Sequence, residues 1–255
     1  MATMFPAYPL DQTAAEIQLT RKISDTATDT LTHRFSRRAT LAELIEREAQ
    51  SVTELEEVAP NEDSFSSDSD IANARLYDKL IQSIRGYKIG ASTKADWIDV
   101  TDEIKAKLPT AHKTQAIAGL YAWRCAVEAD DSDGFNLDGD TYIVRQTIGD
   151  EDDPAYVVRY TLRQPTEAER REYDRTAGKA SQVNGGKKRR IRFRTNLRAD
   201  VALFDKLIQR IDGATVGGQT WGESDSSVFA AAVDPMAKRQ VVNALLSSLS
   251  ASLLD

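Results

Sequence analysis

The sequence predicts an α+β protein made of two copies of one small module, each an antiparallel hairpin or sheet with about three helices. Three observations predict it. The segment Leu76–Gly86 returns as Leu203–Gly213 with eight of eleven positions identical. Upstream, Arg37–Glu43 corresponds to Arg163–Glu169 at nearly the same offset, 126 against 127 residues. Downstream, Lys113–Leu120 parallels Lys238–Leu245, each behind a proline, Pro109 or Pro235. The expected division is an extended amino-terminal arm (1–15), a first repeat (16–128), an acidic linker (129–140) and a second repeat (141–255).

The arm carries Phe5, Tyr8 and Leu10 between prolines, with no basic start and apolar core of signal-peptide type. Exposed apolar material of this kind calls for a cover, so the arm is expected to order against an adjacent subunit. Each repeat then opens on stretches rich in Val, Ile, Tyr and Thr. These are Glu16–Ile23 and Thr30–Phe35 in the first, and Thr141–Ile148 and Ala155–Leu162 in the second, and a hairpin is their natural pairing. A helix follows each hairpin, because Thr40 with Glu43 and Thr166 with Glu169 have capping-box spacing.

The repeated Leu-aromatic-Asp-Lys-Leu-Ile block places Leu76, Leu80 and Ile84, with Tyr77 and Ile81 beside them, on one helical stripe. Gly86 then reads as the helix C-cap, and Leu203, Phe204, Leu207, Ile208 and Ile211 repeat the stripe before Gly213. Such a stripe is core. A last helix begins after Pro109 in one copy and at Asp234-Pro235 in the other, where Asp caps and Pro suits the first turn.

Composition narrows the function classes. The 255 residues carry 33 Lys and Arg against 40 Asp and Glu, a net charge of −7, which disfavours a general polyphosphate binder. The single Cys125 can form neither an intrachain disulfide nor a thiolate cluster, as in a reducing compartment. The apolar stretches around Phe229–Val233 and Leu245–Leu254 are too short to span a bilayer. No phosphate loop, nucleophile elbow or dinucleotide fingerprint occurs, so neither catalytic residues nor a cofactor or metal site are expected. His33 and His112 show no metal-ligand spacing and read as isolated surface or strand histidines. The Asp-rich stretch 129–140 fits no calcium-loop register and reads as a solvated linker.

The copies differ in charge at one place. Between the capped helix and the repeated block, the first carries Glu54, Glu56, Glu57, Glu62, Asp63, Asp68 and Asp70, whereas the second carries Lys187, Lys188, Arg189, Arg190, Arg192 and Arg194. Two readings follow. In one, each run is an independent solvated loop, with Ser64–Ser69 flexible. In the other, the two surfaces steer copy one of one subunit onto copy two of the next, giving a homo-oligomer or ring. The basic run leads into a strand, Ile191–Arg194, which also suits phosphate contact, so nucleic acid is the alternative partner.

The strand-to-helix junctions Tyr160–Glu169 and His33–Thr40, each followed by the Leu-aromatic-Asp-Lys-Leu-Ile block, resemble small proteins from the tail modules of tailed bacteriophages over about half of each copy. The resemblance implies a virion structural or tail-assembly role, with other virion or tail proteins as partners and residence in the virion or the host cytoplasm during assembly. It carries no catalytic residues. The first copy departs from the pattern, with Ala39 where the second has Pro165 and with the acidic insert.

Overall fold

The computed structural model describes residues 5–12, 14–22, 28–51, 53–59, 62–67, 69–128, 141–149, 154–183, 190–223 and 225–251. In chain order its elements begin with β1 (Tyr8–Pro9), β2 (Ala15–Lys22), β3 (Thr28–Phe35), α1 (Leu41–Gln50), β4 (Thr53–Ala59), β5 (Glu62–Ser67), α2 (Ser69–Leu80) and β6 (Ile81–Arg85). Next come β7 (Ile98–Asp99), α3 (Asp102–Lys107), α4 (Thr110–Leu120), β8 (Arg124–Val127), β9 (Thr141–Gly149), β10 (Pro154–Arg163) and α5 (Glu167–Thr176). The chain finishes with β11 (Gly178–Val183), β12 (Arg190–Thr195), α6 (Leu197–Leu207), β13 (Ile208–Asp212), β14 (Ala214–Thr215), α7 (Ser226–Ala232) and α8 (Pro235–Ala251). The architecture is α+β, with antiparallel sheets and one short parallel pair, β1 with β14.

The chain falls into two compact units. The first comprises residues 12–121 together with 178–195, and the second comprises 1–11, 122–177 and 196–255. The boundaries therefore differ from a simple arm, repeat, linker and repeat. Residues 122–128, with β8, go with the second unit, and the segment 178–195 goes with the first. The linker 129–140 and its aspartates lie outside the described residues.

In the first unit β2 and β3 form the expected hairpin, and β6 and β7 extend it to a four-stranded sheet ordered β2-β3-β6-β7. In the second unit β9 and β10 do the same, giving β13-β10-β9-β8. The β-branched and aromatic residues of these strands suit a pleated surface with one buried face. Leu31, Phe35, Tyr77, Leu80, Ile84 and Ile117 fill the first core, and Val158, Tyr160, Leu162, Phe204, Leu207 and Leu245 the second.

Both capping boxes form as the spacing predicts. Thr40 Oγ1 accepts from the Glu43 amide at 3.3 Å, and Glu43 Oε2 accepts from the Thr40 amide at 2.9 Å. Arg37 adds a forked pair to the same carboxylate at 2.7 and 2.6 Å. In the second unit Thr166, Glu169 and Arg163 make the same set, with the fork at 2.8 and 2.6 Å. The arginine hydrogen bonds, together with those from the capping threonine, hold each carboxyl at about 2, below the ordinary glutamate value.

The repeated block is not one helix. Helix α2 stops at Leu80 and α6 at Leu207, and the next residues turn directly into strands β6 and β13. Ile84 and Ile211 are thus strand residues, paired with His33 and Tyr160 respectively. The physical reason is competition. Ile81, Ile84, Ile208 and Ile211 are β-branched, and the hairpin edge beside them offers hydrogen bonds and burial that two more helical turns cannot match. Gly86 and Gly213 accordingly follow strands and are not helix caps. At φ of +93° and +74°, a Cβ would stand 2.4 Å from the Thr30 carbonyl oxygen and 2.3 Å from that of Val157.

The arm also departs from expectation. Within the second unit, Tyr8 and Pro9 pair in parallel with Ala214 and Thr215, with the Tyr8 amide donating to the Gly213 carbonyl at 2.8 Å. Tyr8 is buried edge-on against Tyr156, and Leu10 packs on the same core, while Phe5 is half-buried. The chain's own strand covers Tyr8 and Leu10, where an adjacent subunit was expected to do so.

Candidate protein interface strands

Among the described residues, the acidic positions Glu54–Asp63 and the basic positions Arg190–Arg194 lie on strands, not solvated loops, and they meet inside one chain, while Asp70 lies on α2. A four-stranded sheet of the first unit has the order β11-β12-β4-β5, so the hairpin β11-β12 completes a sheet begun more than a hundred residues earlier by β4 and β5. The register sets Arg190 opposite Glu56, Ile191 opposite Leu55 and Arg192 opposite Glu54. Two rows cross the sheet, Ser181-Arg192-Glu54-Ser66 and Gln182-Ile191-Leu55-Phe65. By strand alternation, the first row lies on one face and the second on the other. Opposite charges placed directly across an antiparallel pair contribute roughly 0.2–1 kcal/mol each.

Of the remaining charged positions singled out from the sequence, those that are described lie on strands of this sheet. Glu57 stands opposite Asp63, and Glu62 stands opposite Ala59. Arg194 pairs with Lys179 on β11. Lys187, Lys188 and Arg189 lie outside the described residues. The pairing has a signal in the sequence: Glu54-Leu55-Glu56 and Arg190-Ile191-Arg192 alternate charge and apolar residue in complementary phase. That pattern specifies a match but does not say whether it is made within a chain or between chains.

A second constellation joins side chains that sequence reading left apart. His33, fully buried on β3, has its Nδ1 2.8 Å from the Tyr77 hydroxyl and its Nε2 3.1 Å from that of Tyr87. The Tyr87 hydroxyl is also 3.0 Å from His112 Nδ1 on α4. His33 is therefore neither a surface histidine nor isolated, and the two histidines belong to one hydrogen-bonded chain. Burial, reinforced by His112, lowers the His33 pKa to about 4, so its ring is neutral near pH 7. At the corresponding place in the second unit, Tyr160 meets Phe204 edge-on at 5.7 Å, against 5.6 Å for His33 and Tyr77. There the Tyr160 hydroxyl donates to Gln146 Oε1 at 2.6 Å.

Two buried lysines were also hidden in the aligned segments. Lys113 Nζ reaches Asp78 at 2.8 Å and Lys238 Nζ reaches Asp205 at 2.6 Å, each tying the last helix of its unit to the repeated block. In the second unit, Trp123, Cys125, Gln240 and Ser247 line a groove of about 550 Å³ beside α8. Burial pushes the Cys125 thiol up to about 12, which leaves it protonated and a poor nucleophile at neutral pH. Among the described residues no three His, Cys, Asp or Glu side chains stand together as a metal site, and no helix is long and apolar enough to cross a membrane. Set against family models, curated proteins and solved structures, the chain matches none of them.

Proposed function

We propose that this chain is a non-enzymatic structural or assembly protein of a tailed bacteriophage, acting through protein–protein contacts made by strand addition. The observation that carries this reading is the sheet β11-β12-β4-β5, in which a strand-pair from one sequence repeat is laid beside the hairpin of the other. Adding strands to an open sheet edge is a general mode of protein recognition, with main-chain hydrogen bonds supplying affinity and alternate side chains supplying specificity. The phage assignment itself rests on the resemblance of the two strand-to-helix junctions. Other virion or tail proteins are the partners, and the virion or the host cytoplasm during assembly is the location.

The chain is further read as a tandem duplication. Support comes from contacts repeated at matching positions: Arg37–Glu43 with Arg163–Glu169, Lys79–Glu46 with Lys206–Glu172, and Lys113–Asp78 with Lys238–Asp205. An ion pair between distant residues is a poor candidate for coincidence when both partners recur at nearly the same offset, here 125 to 127 residues.

The alternative partner, nucleic acid at residues 187–194, has weaker support, because Arg190 and Arg192 stand opposite Glu56 and Glu54. Quantitative mass spectrometry of density-purified particles from a lysate of the encoding phage tests the assembly reading. The expected result is a constant copy number per particle or per assembly intermediate, and defective tails when the gene is disrupted. Normal particles from the disrupted phage, with the chain absent from particles and intermediates, would overturn it. A salt-sensitive gel shift abolished by Arg190→Glu with Arg192→Glu would favour the nucleic-acid reading instead.

A further inference from the structure

The two central sheets are built on one plan but end differently. In the second unit the row Ile211-Tyr160-Val144-Val127 runs across β13, β10, β9 and β8. In the first unit the corresponding row is Ile84-His33-Ile17, and it stops there, because β2 is the terminal strand of its sheet. Among the described residues, the place filled by β8 in one sheet is thus an outer edge in the other. The covered stretch of β9, Val144–Thr147, matches Ile17–Thr20 of β2.

Strand β2 has the properties of an edge that accepts another strand. It is eight residues long, contains no proline and pairs with β3 without a bulge. Its side chains alternate cleanly, with Glu16, Gln18 and Thr20 exposed and Ala15, Ile17 and Leu19 half-buried. Ile17 lies against α4, close enough that a Cβ on Gly119 would stand 2.7 Å from its Cγ2. Long unprotected edges of this type template pairing with another chain.

We propose that β2 is the contact through which two copies of this chain join, antiparallel, with Leu19 on the two-fold axis. The occupant follows from the strand's own sequence. A strand can pair with its own copy while keeping its half-buried face in line only if odd positions meet odd positions, which limits the register. Placing Leu19 on the axis sets Gln18 opposite Thr20 and Glu16 opposite Lys22, the last pair occurring twice by symmetry. Shifting the axis to Gln18 sets Glu16 opposite Thr20 and loses that match. Glu16 already accepts from Arg34 Nε at 2.8 Å, and a carboxylate accepts more than one donor. The contact is isologous, so it closes at two subunits and does not propagate. It deepens the assembly reading and rests on it for the use of the dimer, not for the dimer's existence.

Sedimentation equilibrium of the full chain at low salt, from micromolar to several hundred micromolar, tests the proposal. A monomer–dimer equilibrium is expected, weakened at least tenfold by Lys22→Glu and by Glu16→Lys, and restored when the two changes are combined. Thermal melts of each variant establish that the fold is kept, and Gln18→Cys with Thr20→Cys should give a disulfide-linked dimer that neither single change gives. A strict monomer at the highest concentration, a larger ring or filament, or a dimer indifferent to both charge changes overturns the proposal. A dimer in a protein absent from particles would sink only the phage reading; particle incorporation of a monomer would sink only this one.

Discussion

The ammonium of Lys113 lies 2.8 Å from the carboxylate of Asp78, with 9 % of the lysine side chain exposed and 36 % of the aspartate's. The asymmetry decides what each partner's removal costs. Asp78→Asn leaves a buried cation without its counter-charge and should cost about 3 kcal/mol, the usual penalty for breaking a buried pair from one side. Lys113→Met leaves a carboxylate that water reaches, and should cost roughly 1–2 kcal/mol. Urea unfolding of both variants checks the order, and equal losses would contradict the burial argument.

Gly86 and Gly213 each hold a positive φ where a backbone oxygen occupies the space of a side chain. Gly86→Ala and Gly213→Ala should each destabilise by roughly 2–4 kcal/mol, since the neighbouring strand must move as well as the turn. Gly90, at φ +60° with nothing near its absent Cβ, is the control and should cost about 1 kcal/mol on conversion to Ala. Calorimetric melts of the three variants separate the steric effect from the dihedral one.

His33 makes stability depend on acid. Its folded pKa of about 4 lies below its ordinary value of 6.5, so the unfolded chain takes up the proton first. The contribution is intact above pH 6.5 and is lost as pH falls toward 4, the loss amounting to about 3 kcal/mol at its limit, given ~1.4 kcal/mol per pKa unit. The double variant His33→Phe, Tyr77→Phe removes this titration. Stability measured between pH 7 and 4 should fall more steeply in the wild type, and parallel curves would show that His33 does not titrate there. Glu43 and Glu169 act mostly at lower pH, since carboxyls held near 2 lose their stabilisation between about 4.5 and 2.

The pairing of β12 with β4 predicts a charge-reversal pattern. Arg192→Glu sets a glutamate opposite Glu54 and should cost about 1 kcal/mol, as should Glu54→Arg. Combining them restores the attraction and most of the stability. Hydrogen exchange of the β4 and β12 amides reads the local effect, and additive losses in the double variant would mean that the two positions do not face each other.

Much of this fold is readable because it is local. The capping boxes at Thr40 and Thr166 need only a hydroxyl and a carboxylate three residues apart, and both form. The hairpins β2-β3 and β9-β10 follow from strand propensity between neighbouring segments. The helix-to-strand switch after Leu80 was not readable in the same way. Ile81 and Ile84 satisfy a helical stripe and a strand edge equally well, and the hairpin beside them decides the outcome.

By itself the amino-acid sequence determined the α+β class, the matched segments, the caps, the hairpins and the complementary alternation of Glu54-Leu55-Glu56 with Arg190-Ile191-Arg192. Tertiary structure alone decided that those strands meet within one chain, that Tyr8 is covered by the chain's own β14, and that His33 is buried between two tyrosines. The reason is physical. Propensity, spacing and periodicity act over a few residues, whereas the choice among open sheet edges depends on which segments the rest of the fold brings within hydrogen-bonding reach.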